Sequence, residues 1–170
     1  MNPQWEPVTS DPDAKRVWRK VLRPIAKQLR NHAEAMADQI IERLDEKQSM
    51  TIDDLGVEIQ PGSVSAIVRQ LVDMLDTGAE PRELELPPPV VADVQLRARQ
   101  NIPLAALMRS YRLAQDTLWG WLFEQIMGTP PTCTEADQGL TLQLTTDWLF
   151  AYIDYASLAV EQVYEQERDS

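Results

Sequence analysis

The 170-residue sequence has a single cysteine, Cys133, and a single histidine, His32. One cysteine excludes an intrachain disulfide and makes a reducing compartment the natural setting. One histidine without a Cys or His partner at ligand spacing excludes a His-based triad, an HExxH zinc motif and a Cys/His metal cage. The glycine-rich loops GxGxxG and GxxxxGK[ST], which cradle dinucleotides and nucleoside phosphates, are missing as well. So are long apolar runs: the longest, WLFAYI at 148–153, falls far short of the roughly 20 residues that span a bilayer. The opening MNPQWEPVTSDPD lacks the apolar segment of a signal peptide. Bases are outnumbered 16 to 27, for a net charge of −11. That balance argues against nucleic-acid binding by the chain as a whole, because phosphate contacts need a clustered positive surface, and leaves room only for a local basic patch. Cys133 follows Thr-Pro-Pro with no base nearby and reads as unactivated, and the Asp53–Asp54 pair reads as a solvated turn. These absences set the expectation: a cytoplasmic, non-catalytic protein with no cofactor, no metal site, no membrane span and no direct contact to nucleic acid.

What the sequence does have is helical periodicity. Residues 1–12 hold three prolines and little to bury, and read as a flexible arm; 13–170 read as a single domain. Val17, Val21, Ile25 and Leu29, then Met36, Ile40 and Leu44, predict a helix from Asp13 to about Glu46. Pro24 predicts a kink in it, or two abutting helices. The segment 47–62 reads as a loop. Ser63 is the expected N-cap of a helix carrying Val64, Ile67, Val68, Leu71 and Leu75, and Gly78 its terminator. Further helices are expected from Pro88 to Gln100 and from Pro103 to about Met127. The last should start at Thr134, whose spacing to Asp137 resembles a capping box, and run to about Arg168. At about 1.5 Å per residue it would be roughly 50 Å long, against a domain diameter of roughly 40 Å, so its final turns should overhang. A polar overhanging end is what a connection to a following domain looks like. Strand signals are almost absent, so the fold class is all-α: a helical bundle with a long C-terminal helix.

Charge is unevenly placed. Arg16, Lys20, Arg23, Lys27 and Arg30 are spaced 4, 3, 4, 3 and share one stripe of the first helix. This basic face could dock an acidic partner. The favoured reading is internal: acids dominate the last helix, and Asp147, Asp154 and Glu161 repeat every seven residues on one of its faces. In NIPLAALMRSYRLAQDTLWGW (101–121), Leu104, Leu107, Met108, Tyr111, Ala114, Leu118 and Leu122 form a buried stripe extended by Trp119 and Trp121. Arg109, Arg112 and Asp116 lie on the other side, and Arg112–Asp116 has the spacing of an i, i+4 ion pair. A core helix with a salt-bridged outer face explains most of this. The alternative is a pocket in which Arg109, Tyr111, Arg112 and Trp119 hold an anionic or aromatic small molecule.

The segment RARQNIPLAALMRSYRLAQDTLWGWL, with LELPPPVVADVQLRARQ before it and WLFAYIDYASLAVEQVYEQER after it, resembles the N-terminal helical domain of PucR/CdaR-like transcriptional regulators. That domain type is related to the N-terminal domains of RsbR-type stress-signalling proteins. The resemblance covers roughly Ala79 to Arg168. It implies a sensory and dimerisation domain, a globin-like arrangement without haem, and a homodimer that relays a signal through its last helix. Tyr152, Tyr155 and Val163 are the expected relay residues. Asn101 stands where the pattern often has glycine, which suits a helix C-cap because asparagine tolerates the left-handed conformation. Ala114-Gln115 replaces a Leu-Gly-like pair. Two other readings compete with the regulator: a stand-alone adaptor docking through the basic face, and a globin-like haem enzyme, for which His32 lies too early to be the proximal ligand.

Overall fold

The computed structural model describes residues 4–52 and 61–170, with side chains over 4–46 and 62–170. The described residues are helical: α1 (Glu6–Ser10), α2 (Pro12–Val17), α3 (Arg23–Asn31), α4 (Ala33–Ile52), α5 (Pro61–Thr77), α6 (Pro88–Arg99), α7 (Leu104–Met127) and α8 (Glu135–Asp169). A π-turn, Trp18–Leu22, joins α2 to α3, and a 3₁₀ turn, Pro81–Glu83, lies between α5 and α6. The all-α bundle with a long last helix is therefore observed. Helix α4 packs between α5 and α7, α6 lies against α5 and α8, and the π-turn and α2 reach α8.

Pro24 explains the π-turn. It cannot donate to the carbonyl four residues back and its ring crowds that carbonyl. The chain widens just before it, so that the Arg23 N–H bonds to the Trp18 carbonyl five residues earlier. The second interruption falls at His32, an exposed residue between α3 and α4 whose N–H bonds to Leu29 O at 3.1 Å. Helix α4 runs through Ile52 and α5 begins at Pro61, so both ends of the segment expected as a loop over 47–62 are helical; the rest of it, with Asp53–Asp54, lies outside the described residues. Ser63 is not an N-cap, because α5 begins at Pro61 and Ser63 is buried in its first turn.

Two turns required a left-handed residue and have one. Gly78, at φ 69°, ends α5, and Ala79 N–H reaches back to Met74 O at 3.0 Å. Asn101, at φ 60°, ends α6, with Ile102 N–H on Arg97 O and Asn101 N–H on Ala98 O, both at 3.1 Å. Both are Schellman-type ends, in which the backbone satisfies its own last carbonyls. At α8, the Thr134 hydroxyl accepts from the Asp137 N–H at 3.1 Å, the expected cap.

In the segment expected to be a flexible arm, Trp5 is docked. Trp5 donates its N–H to Gly78 O at 2.9 Å, and its ring meets Trp18 with centroids 5.6 Å apart. The end of α5 is a meeting point: Trp18 Nε1 donates to Leu75 O (2.8 Å) and Trp148 Nε1 to Ala79 O (3.0 Å). Indoles thus satisfy carbonyls that a helix end leaves orphaned, while their rings supply core area. Trp148 is completely buried, edge-on to Trp18 (6.2 Å) and stacked on Tyr152 (5.5 Å).

The core has two parts. The larger joins α2, the π-turn, α3, α4 and α5 to Leu118, Leu122 and Ile126 of α7 and Leu144–Ala156 of α8. The smaller gathers Val90, Val94 and Ala98 of α6, Leu107 of α7, and Val160 and Tyr164 of α8. Among the described residues, only α7 and α8 contribute buried residues to both.

Candidate functional site

The basic stripe is divided by the π-turn. Arg16, before it, faces α8 and grips Asp137 with both terminal nitrogens, at 2.6 and 3.0 Å. Arg23 and Arg30, after it, face α5: Arg23 Nε donates to Asp76 O at 2.8 Å, and Arg30 lies 2.8 Å from Asp73 and 3.4 Å from Asp76. The first and last helices are thus neighbours, but the acids that meet the stripe are Asp137, Asp73 and Asp76. Asp147 and Asp154 stand exposed on another face of α8. Lys20 and Lys27 are exposed and have no hydrogen-bonded partner among the described residues; Lys20 contributes field at Asp137. The Arg16 hydrogen bond holds the Asp137 carboxyl below its ordinary value, and Asp137 raises the Arg16 guanidinium. The sign follows from the carboxylate: its contribution to stability is present above the unfolded-state pKa and is lost as pH falls through the lowered folded value.

Arg23→Glu would set a carboxylate against the Asp76 side chain and the negative end of the α5 dipole. With Arg23 about half exposed, the expected cost is about 1 kcal/mol, read as a fall of about 3 °C in the thermal midpoint. An unchanged midpoint with abolished binding to an acidic partner would overturn the internal role of the stripe.

The four residues of the suggested α7 pocket do not converge. Arg109 and Arg112 are exposed, and Trp119 packs at the core margin edge-on to Phe123 (5.6 Å). Asp116 pairs with Arg43 of α4, not with Arg112. Tyr111 alone lines a cavity, and its company was not anticipated. An apolar cavity of about 50 Å³ lies at the seam of the two cores, bounded by Leu71, Tyr111, Leu118, Leu149, Tyr152 and Val160. A second, of about 60 Å³, shares Ile67, Tyr111 and Ala114 with it and adds Ser63, Asp93, Arg97 and Ser110.

Asp93 and Arg97 form a buried ion pair one turn apart on α6, Arg97 Nε donating to Asp93 Oδ2 at 3.0 Å. Both side chains are over nine-tenths buried. Asp93 Oδ1 is the one buried side-chain polar atom without a hydrogen-bond partner among the described residues. Burial first, and the nearby Asp93 charge second, push the Tyr111 phenol above the ordinary tyrosine value, so its hydroxyl stays protonated. The signal for this pair was in the sequence: Val90, Asp93, Val94, Arg97 and Ala98 share one stripe, which places an acid and a base on an apolar helix face.

Of the relay residues, Tyr152 is buried and donates its hydroxyl to Gln70 Oε1 of α5 at 3.0 Å; Tyr155 and Val163 are half-buried. The end of α8 does not overhang as expected. Tyr164 is buried and donates to Ile102 O in the α6–α7 corner, and Arg99 bridges to Glu167 at 3.1 Å. Among the described residues, no group of His, Cys, Asp and Glu could hold a metal ion, and no helix is long and apolar enough to cross a membrane.

The last helix of this helical domain contributes to both cores. Residues 30–170 match the family described as the RsbT co-antagonist protein rsbRD N-terminal domain, and the chain belongs to that family. This makes it an RsbR-like signalling domain. No curated protein and no solved structure matches it.

Proposed function

We propose that this domain is the non-catalytic, homodimeric input module of a PucR/CdaR-like transcriptional regulator acting in the cytoplasm. Its signal leaves through α8. The observation that carries the reading is the path of that helix: Trp148 and Tyr152 sit in the larger core, Val160 and Tyr164 in the smaller. A repacking of either core therefore moves the same 35-residue rod. Such a displacement of one packed element past its neighbours is an established way to pass a state change to an output module. The sequence pattern of 97–122 and 148–168 supports the regulator setting.

Four large apolar side chains support the dimer: Phe123 and Met127 on α7, and Phe150 and Leu158 on α8, are each more than 40% exposed. Large apolar side chains left in water are candidates for burial on association. Light scattering should give twice the 19.4 kDa chain mass, and Phe150→Asp should shift it toward one chain without lowering helicity. A single-chain mass at high concentration would rule the dimer out. The adaptor reading draws less support, because Arg16, Arg23 and Arg30 are all engaged within the domain.

A further inference from the structure

The Asp93 carboxylate is an incomplete arrangement. Arg97 occupies Oδ2 and balances its charge, yet Oδ1 is buried without a donor. A buried acceptor left unsatisfied carries a desolvation cost that a native fold normally offsets with a partner. The cavity at this residue, about 60 Å³, is larger than one water needs; its walls are mainly apolar, with Ser63 and Tyr111 beside Leu44, Val64 and Leu107. On the far side of Tyr111 and Ala114 lies the second cavity, walled by Leu71, Leu118 and Leu149. Ile67, Tyr111 and Ala114 therefore border both the space at the unpaired Asp93 Oδ1 and the apolar space, whose lining also includes Gln115 and Ser157.

We infer that these paired cavities form a binding site for a small neutral molecule with a hydrogen-bond-donating head and a short branched apolar tail. The head, a hydroxyl or primary amide, donates to Asp93 Oδ1, and the tail packs against Ile67, Tyr111 and Ala114 toward the apolar cavity. The ligand is neutral because Arg97 already compensates the carboxylate: what Oδ1 lacks is a donor, not a charge. An anionic carboxylate is disfavoured, since it would bring acceptor oxygens to an acceptor. The space sets the size at about five heavy atoms, which limits affinity to roughly the millimolar range. The site stands apart from the signalling reading; its occupancy is measured on the isolated chain, whatever the chain regulates.

Three probes with one carbon skeleton test it: isobutanol, isobutyramide and isobutyrate, titrated into the protein while the methyl resonances of Leu44, Val64 and Leu107 are followed. Isobutanol and isobutyramide should shift these methyls saturably, and isobutyrate should bind at least about tenfold more weakly, the value of one hydrogen bond to a charged group. Ala114→Leu, which fills the shared wall and leaves Asp93–Arg97 intact, should abolish the shifts. Equal response to all three probes, or shifts that never saturate, overturns the proposal and leaves water as the occupant of Oδ1. Should Ala114→Leu fail to fold, the contrast between isobutanol and isobutyrate on the parent protein still decides.

Discussion

Trp148→Ala should lower stability by about 3–5 kcal/mol, the range for removing a large aromatic from a close-packed core. The residue is fully buried, and three losses coincide there. Its ring leaves Trp18 and Tyr152 facing a void, the Ala79 carbonyl loses its donor, and the π-turn loses its contact with α8. For a domain of this size the thermal midpoint should fall by about 10 °C. Trp148→Phe separates the contributions, keeping an aromatic ring but not the indole N–H, and should cost less than the alanine variant by about half. Far-UV circular dichroism against temperature measures both. A loss under about 1 kcal/mol for the alanine variant would mean that the tryptophan cluster is not what joins α2, α5 and α8.

Arg97→Met should be nearly as damaging, for a different reason. A methionine can fill the space, but Asp93 would then be a buried carboxylate without a compensating cation, at about 3–5 kcal/mol. The double variant Asp93→Leu/Arg97→Met removes both charges and should recover most of that loss, because a well-packed apolar pair avoids desolvating two ions. Denaturant unfolding of the two variants side by side provides the test. If the double variant is no more stable than Arg97→Met, the ion pair is not the source of the effect and shape is. The double variant should also lose the response to isobutanol, which ties the acceptor to the ligand site independently of the cavity wall.

Most of the helices were legible because their signals are local. Thr134, Gly78 and Asn101 each act on backbone groups within five residues, so caps and ends could be read from sequence. The buried stripe of α7 was equally plain, with Leu107, Leu118 and Leu122 inside as their spacing required. Pro24 announced a disturbance, but its form, a widened turn, depends on how α2 and α3 pack. That widening rotates Arg23 and Arg30 away from Arg16, and so the even 4, 3, 4, 3 spacing led to the wrong acids. The four residues of the suggested α7 pocket are not brought together for a related reason. Arg109 and Arg112 drew attention because they flank aromatics in sequence, whereas Asp93 and Arg97 meet Tyr111 only across the α6–α7 interface. The docking of Trp5 onto the Gly78 turn is also a contact between distant segments, invisible to periodicity.

The anchored end of α8 also bounds what any input must supply. Burying Tyr164 and satisfying its hydroxyl on Ile102 are together worth about 3 kcal/mol, so the released end would be populated at a few parts per thousand at rest. A ligand that binds the released form about a hundredfold more tightly than the docked one would bring the two near parity, and one without such preference would leave the helix where it is. On the relay proposed above, Tyr164 would set a threshold, and Tyr164→Phe, by lowering it, would make the output respond to weaker input.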